Sequence, residues 1–289
     1  MNREGSLHLP APVAVHGRLG DTAVRDYSLK LRLFNAFAEP ELRAAIASLH
    51  LAPGMTVLDG GCGTGETLAW LAAAVGPGGR AVGVDLSTSH LQAARAGLPP
   101  GTLLLQANLL KTPLAQRSFD LVWSVNTVHH LHDPLAGVRA LAALLRPGGR
   151  LVLGQSSLLP DMYLAWDARL ERLTTEAVRC YYRDRYHLSE YDLAAVRGVV
   201  GLLREAGLAR VSVRTQVLER CAPLDPSTRA WLLEAIFRGT WGERLRPYLA
   251  PADYEALTRL CNPQHPEFAL ERPDFHFLQT FTLALGESP

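Results

Sequence analysis

The segment Val57-Leu58-Asp59-Gly60-Gly61-Cys62-Gly63-Thr64-Gly65 constrains the fold more than any other stretch of this chain. A short apolar run that ends in a carboxylate and passes into Gly61-x-Gly63-x-Gly65 reads as a buried strand, a sharp turn and a helix start. Glycines there let the backbone bend and let a ligand approach it closely, where a side chain would intrude. The helix that follows begins with unpaired N–H groups, which favour a polar ligand. Asp85 lies twenty residues beyond Gly65, at the end of the next apolar run. A carboxylate in that place can accept hydrogen bonds from a ribose diol.

The strand–helix rhythm continues from Met55 to Gln155. Strands are predicted at Thr56–Asp59, Ala81–Asp85, Leu103–Gln106, Phe119–Val125 and Arg150–Gly154. All are short and rich in Val and Leu, as when both faces of a parallel sheet are covered. Leu68, Leu71 and Val75 form one helical stripe in Glu66–Val75; Leu135, Val138, Leu141 and Leu145 form another after Pro134. This alternation implies βαβ units and a doubly wound α/β sheet. Upstream, residues 1–20 read as a loosely docked arm, and residues 39–50 as a helix carrying Leu42, Ile46 and Leu49.

Downstream the pattern changes. Residues 158–190 contain a helical stretch with the cluster Tyr181-Tyr182-Arg183-Asp184-Arg185-Tyr186-His187. A helix is predicted from Tyr191 to Ala206, with Val196, Val199, Val200 and Leu203 on one face and Gly207 as its C-cap. Strands are predicted at Ala209–Glu219 and Phe275–Leu285, and the intervening Arg220–Asp274 is largely helical and punctuated by proline. The expected division is an N-terminal arm and helical lead-in (1–50), a cofactor-binding core (51–155), and the rest of the sheet (156–289). Two insertions, about 156–190 and 220–274, are expected to form a helical cap over an acceptor pocket.

Composition narrows the function. The chain has 289 residues, 48% hydrophobic and 20% charged, with net charge +1, so nothing marks it for nucleic acid or an anionic membrane surface. Cys62, Cys180, Cys221 and Cys261 are far apart, which predicts neither a zinc site nor a disulfide framework and points to a reducing cytoplasm. Met1 to Gly20 lacks the pattern of a signal peptide, and no apolar run is long enough to span a bilayer.

Taken alone, the glycine loop and Asp85 fit either a dinucleotide or an adenosylmethionine site. Three details favour the second. The loop spacing is not the dinucleotide Gly-x-Gly-x-x-Gly; Asp59 precedes it, where a carboxylate suits a cationic ligand and not a pyrophosphate; and the loop follows a helical lead-in. Residues 55–155 resemble a class I methyltransferase of the UbiE/MenG-like small-molecule group. The resemblance rests on Val57–Gly65, Val82–Ser87, Phe119–Val122, the segment His129-His130-Leu131-His132-Asp133-Pro134, and Leu145–Leu151.

The resemblance implies a Rossmann-like, mostly parallel seven-stranded sheet, S-adenosylmethionine as cofactor, and methyl transfer to a small-molecule acceptor. It places Asp59, Gly61 and Gly63 against the methionyl part, with Cys62 a small apolar neighbour in the loop. Asp85 would hold the ribose hydroxyls and Leu86 would face the adenine. Asn108, beside Leu109, stands where the family usually has an Asp that accepts from the adenine amino group; an amide oxygen retains that capacity. Ser124, Val125 and Asn126 would line the site after the fourth strand. Tyr27 either folds over the cofactor or is a core tyrosine of the lead-in.

Methyl transfer from a sulfonium is an in-line displacement, and a base helps when the nucleophile is a hydroxyl or an acidic carbon. His129 and His130 are the candidates, since an imidazole titrates near neutrality. Alternatively they shape the entry to the next helix, which Asp133 would cap ahead of Pro134. The Tyr181–His187 cluster either lines a substrate pocket or packs at the sheet edge, while His265 and His276 carry no expected chemistry. Two other functions stay open at this level: a cofactor-binding regulator without turnover, and a nicotinamide-dependent oxidoreductase, which the loop spacing disfavours.

Overall fold

A computed structural model of the chain describes residues 17–156, 160–189 and 195–289. Five strands run parallel: β1 (Thr56–Gly60), β2 (Arg80–Asp85), β3 (Leu103–Gln106), β4 (Phe119–Val125) and β5 (Leu145–Ser156). Three more complete one sheet: β6 (Met162–Leu164), β7 (Ala209–Cys221) and β8 (His276–Glu287). The order is β3-β2-β1-β4-β5-β8-β6, with β7 paired to β8. β8 is antiparallel to its neighbours: β7 lines one side, and the other is shared by β5, over Phe281–Glu287, and β6, over His276–Leu278.

Alternation along each strand feeds two cores. Val57, Leu121, Trp123 and Val152 enter one; Leu58, Val122, Leu151 and Leu153 enter the other. The first is covered by α1 (Ser28–Phe37), α2 (Glu39–Ala47) and α3 (Glu66–Val75), with Leu91 of α4 (Thr88–Arg95). The second is covered by α5 (Pro134–Ala143) and the helix Val199–Glu205. Asp133 caps α5 as its sequence predicts: its carboxylate accepts from Ala136 N–H at 2.9 Å, with Pro134 at the first helical position.

Several boundaries differ from expectation. The sheet has eight strands, not seven, because β8 runs past the end of β5 and the three-residue β6 takes up its free backbone groups. Such a strand is too short to show a period of two. The fifth strand starts at Leu145, not Arg150, with an irregular register opposite Phe119 and Leu121 that absorbs the Pro147-Gly148-Gly149 turn. Of the helix predicted over 191–206, residues 191–194 lie outside the described residues; a 3-10 turn, Ala195–Gly198, precedes Val199–Glu205. Gly207 (φ 85°) ends that helix, with its N–H on Arg204 O and Leu208 N–H on Leu203 O. Most of the predicted arm, 1–16, lies outside the described residues, but 17–20 are docked: Gly17 bridges to Leu131.

The two insertions share one aromatic core with α1. α6 (Ala168–Tyr186) spans much of the first. In the second, the helix Pro226–Ala230 runs into an eleven-residue π-helical stretch, Trp231–Trp241. Trp231 stacks on Phe37 (5.8 Å, 13°) and meets Phe34 edge-on at 5.4 Å. Tyr163 of β6 contacts Trp166, Trp241 and Phe277 at 5.0–5.4 Å. Arg220 reaches both carboxylate oxygens of Glu41 (2.8 and 2.9 Å) with its guanidinium 4.8 Å from the Phe37 ring centre. Phe37 therefore joins the lead-in to the second insertion. Phe37→Ala is expected to cost about 3–5 kcal/mol in urea unfolding, as for other fully buried aromatics. A loss below about 1 kcal/mol would show that the insertion docks without it.

Candidate active site

Strand order reverses on either side of β1, and ligands of doubly wound sheets bind beyond the C-terminal strand ends at such a point. A cavity of about 850 Å³, counting its open mouth, lies there. Its floor comes from the turn after β1 (Gly61, Gly63), the end of β2 (Asp85, Leu86), the residues after β3 (Asn108, Leu109) and the end of β4 (Val125, Asn126, Thr127). Its roof is the strap 17–27, with Asp21, Arg25 and Tyr27 on the cavity side.

Gly61 and Gly63 both have positive φ (83° and 52°). A Cβ on Gly61 would sit 2.2 Å from Thr127 Oγ1, and one on Gly63 would sit 2.9 Å from Leu31 Cδ1. A side chain at either position would be strained by the backbone conformation, and at Gly61 it would also collide with Thr127. Asp85 closes the turn: its Oδ2 accepts from Gly63 N–H (2.9 Å), and its Oδ1 accepts from Ser87 N–H (2.9 Å) and from His90 Nδ1 (3.1 Å). A carboxylate has about four lone-pair sites, so capacity remains for a ligand's hydroxyls.

The strap is held at both ends. Arg18 N–H donates to His130 O, Thr88 N–H to Ala23 O, and Ser87 Oγ to Arg25 O, at 2.7–3.0 Å. Arg25 lies 4.4 Å from the Tyr27 ring centre and donates to Tyr186 OH on α6 (3.2 Å). Asp21 faces His130, with Nδ1 3.1 Å from each carboxylate oxygen. Burial pushes the Asp21 carboxyl up, but the hydrogen bond and charge of His130, helped by Arg25, outweigh it and hold it below the usual range.

Of the residues singled out in the sequence, Tyr27, Gly61, Gly63, Asp85, Leu86, Asn108, Leu109, Asn126 and His130 line the cavity. Asn108 spends one lone pair on Leu110 N–H (2.9 Å). Asp59, Cys62, Ser124 and His129 do not reach the wall. Cys62 is buried against Gly83 of β2, and burial drives its thiol well above its ordinary value. Ser124 Oγ donates to Gly60 O at 2.7 Å. His129 turns to Gln155 (3.0 Å) and a smaller cleft; burial, then His130, pushes its pKa well down. Asp21, Arg25, Leu31, Ser87, His90 and Thr127 line the cavity without having been foreseen. Ser87 carried a signal, since a serine just ahead of a helical run is a capping residue, and it caps α4 at His90 N–H.

Asp59 lies beneath the turn, 2% exposed, and its Oδ2 has no hydrogen-bond partner among the described residues. Burial, with the charges of Asp85 and Glu66, pushes its carboxyl up to about 8. An orphaned buried carboxyl below a glycine cradle, beside a second carboxylate with spare acceptors, fits a ligand carrying both a positive charge and a ribose. It also has a cost. An unfolded Asp titrates near about 3.9, so between about pH 4 and pH 8 the fold holds a proton that the unfolded chain has lost, and stability falls as pH rises. His129, held neutral, acts in the opposite sense and only below about pH 6.5. Thermal melts of the cofactor-free chain should therefore decline from about pH 6.5 to 8, and Asp59→Asn should remove the decline and raise Tm at pH 8. Equal slopes in the two proteins would refute this account of Asp59.

The comparisons with known proteins agree with the geometry. A family model described as a methyltransferase domain matches residues 58–153. Nocamycin O-methyltransferase of Saccharothrix syringae is 30% identical over 226 residues, covering 73% of this chain and 77% of that protein. An uncharacterised 37.1 kDa protein of a Streptomyces fradiae transposon is 32% identical over 204 residues; the match takes in 67% of this chain and 55% of that protein's length. The chain thus spans little more than half of the latter. The crystal structure of the YcgJ protein from Bacillus subtilis superposes with a TM-score of 0.54 at 19% identity, covering 86% of this chain and 98% of that one, a likeness of fold. With a relative of this identity and coverage, and a domain match that opens on the glycine turn, the chain belongs to the class I S-adenosylmethionine-dependent methyltransferases.

Proposed function

We propose that the chain transfers a methyl group from S-adenosylmethionine to a hydroxyl oxygen of a small-molecule acceptor, with His130 as general base. The observation that carries this reading is the His130–Asp21 pair lining the same cavity as Asp85 and the glycine turn. Similarity to a protein named as an O-methyltransferase supports oxygen as the receiving atom. When bound, the cofactor supplies an electrophilic methyl on a sulfonium, which leaves the protein to orient reactants, exclude water and move one proton.

Asp85 would accept from the ribose hydroxyls, with Leu86 and Asn108 toward the adenine. Gly61 and Gly63 keep the backbone clear beside the methionyl part, and Asp59 lies below as a counter-charge. His130 Nδ1 faces the Asp21 carboxylate, so in the neutral ring the proton sits there and Nε2 keeps a lone pair. His130 Nε2 would take the acceptor's O–H proton as that oxygen gains the methyl and the methyl–sulfur bond breaks to leave a neutral thioether, and Asp21 would stabilise the resulting imidazolium. A protein that only bound the cofactor would have no use for this pair. Tyr27 and Arg25 would close the roof over the acceptor, and Arg25 is braced by Tyr186 of the first insertion.

A finer placement in the UbiE/MenG-like small-molecule group rests on the five matching segments within residues 55–155. The described cysteines are all free, which suits a reducing cytoplasm, and no helix among the described residues is long and apolar enough to cross a membrane.

His130→Ala is expected to lower kcat by about 10²–10⁴-fold while S-adenosylhomocysteine still binds, and Asp21→Asn should have a smaller effect of the same kind. Release of S-adenosylhomocysteine with hydroxylated acceptors reads this out, and full activity in His130→Ala would remove the base assignment. Asp85→Ala should weaken cofactor binding by about 1–3 kcal/mol by calorimetry. Unchanged affinity would mean that the ribose end lies elsewhere.

A further inference from the structure

His90 stands between the cofactor floor and the roof. It is in the first turn of α4 and is 6% exposed. Its Nδ1 is 3.1 Å from Asp85 Oδ1, and its Nε2 is 3.0 Å from the backbone nitrogen of Tyr27. A backbone N–H can only donate, so Nε2 carries the lone pair and the ring proton sits on Nδ1, pointing at Asp85. The ring is thus a neutral bridge with a donor on the sheet side and an acceptor on the strap side. The path continues beyond it: Tyr27 OH donates to Asp21 Oδ1 (3.3 Å), and Asp21 faces His130.

We infer that His90 is a positioning residue that couples occupation of Asp85 to docking of the strap 17–27, and through the strap to the Asp21–His130 pair. The inference rests on the reading that Asp85 receives the cofactor's ribose. Hydroxyls that bond to Asp85 fix the carboxylate, which fixes the imidazole ring and the acceptor it offers to Tyr27 N–H. If the strap lifts, a nearly buried ring nitrogen loses its partner, which is unfavourable. Coupling of this kind is reciprocal, so the factor by which cofactor steadies the strap is the factor by which the docked strap tightens the cofactor. The acceptor side then holds its base geometry more firmly over a loaded cofactor.

The test uses the full chain and S-adenosylhomocysteine as the probe. Amide exchange across residues 17–27 is measured with and without it, in wild type and in His90→Phe. The wild-type strap should slow by about fivefold or more on binding. In His90→Phe the probe should still bind, through Gly63 and Asp85, at an affinity reduced by a similar factor, and the strap should no longer respond. A wild-type strap indifferent to bound probe, or a variant strap that responds as the wild type does, overturns the inference. Failure of the wild type to bind the probe at all overturns instead the cofactor reading beneath it. Imidazole nitrogen spectra of the wild type decide the matter even if the variant does not fold: a proton on Nδ1 of His90 is expected, and one on Nε2 removes the bond to Tyr27 and the inference with it.

Discussion

The Asp85 carboxylate is the interaction around which the site is built. Three donors from three places converge on it: Gly63 N–H from the turn after β1, Ser87 N–H from the start of α4, and His90 Nδ1 from within α4. Hydrogen bonds to an ionised acceptor are roughly twice as strong as neutral ones, and these offset the cost of holding the group at 9% exposure. The turn, the helix entry and, through His90, the strap are thus registered to a single charge. That charge also acts on its neighbour. Asp59, more deeply buried and without a partner for Oδ2, is pushed up first by burial and then by Asp85. Deep burial beside a second carboxyl leaves Asp59 holding its proton until a cation comes near.

The features legible in the sequence were those written locally. β1, β2, β4 and β5 are largely apolar runs buried on both faces, and β3 is a short, partly exposed Leu run at the sheet edge; their apolar character is readable without knowledge of the partners. The glycine turn was readable because Gly61 and Gly63 adopt backbone conformations that few other residues accept. Asp133 was readable as a cap because its partner is three residues away.

What the sequence concealed depends on contacts between distant residues. Asp21 lies in a stretch with no period, and its meaning comes from His130, more than a hundred residues later. His129 and His130 are indistinguishable as adjacent letters; they separate only because one side chain turns to Gln155 and the other to the cavity. Ser124 sits on the predicted strand end but points at Gly60 O, since on a pleated strand successive side chains alternate between faces. β6 exists only because β8 runs past the end of β5, a fact held in neither segment alone.

The division between rigid and docked parts bears on how catalysis is organised. α1 is fixed by Phe34 and Phe37 against Trp231 and by the carbonyl of Phe37 under Arg220, so Ser28 onward belongs to the same core as the insertions. The strap before it is held mainly by hydrogen bonds to loop ends and by Arg25 reaching Tyr186. Sheet and strap therefore contribute different things. Asp85 and the glycine turn are set by the sheet and are ready before any ligand arrives. His130 is also set by the sheet, but the carboxylate that orients it, Asp21, is on the strap. A base whose orienting partner arrives with the roof is fully arranged only when the roof excludes water, the condition under which a sulfonium methyl is best kept for its acceptor.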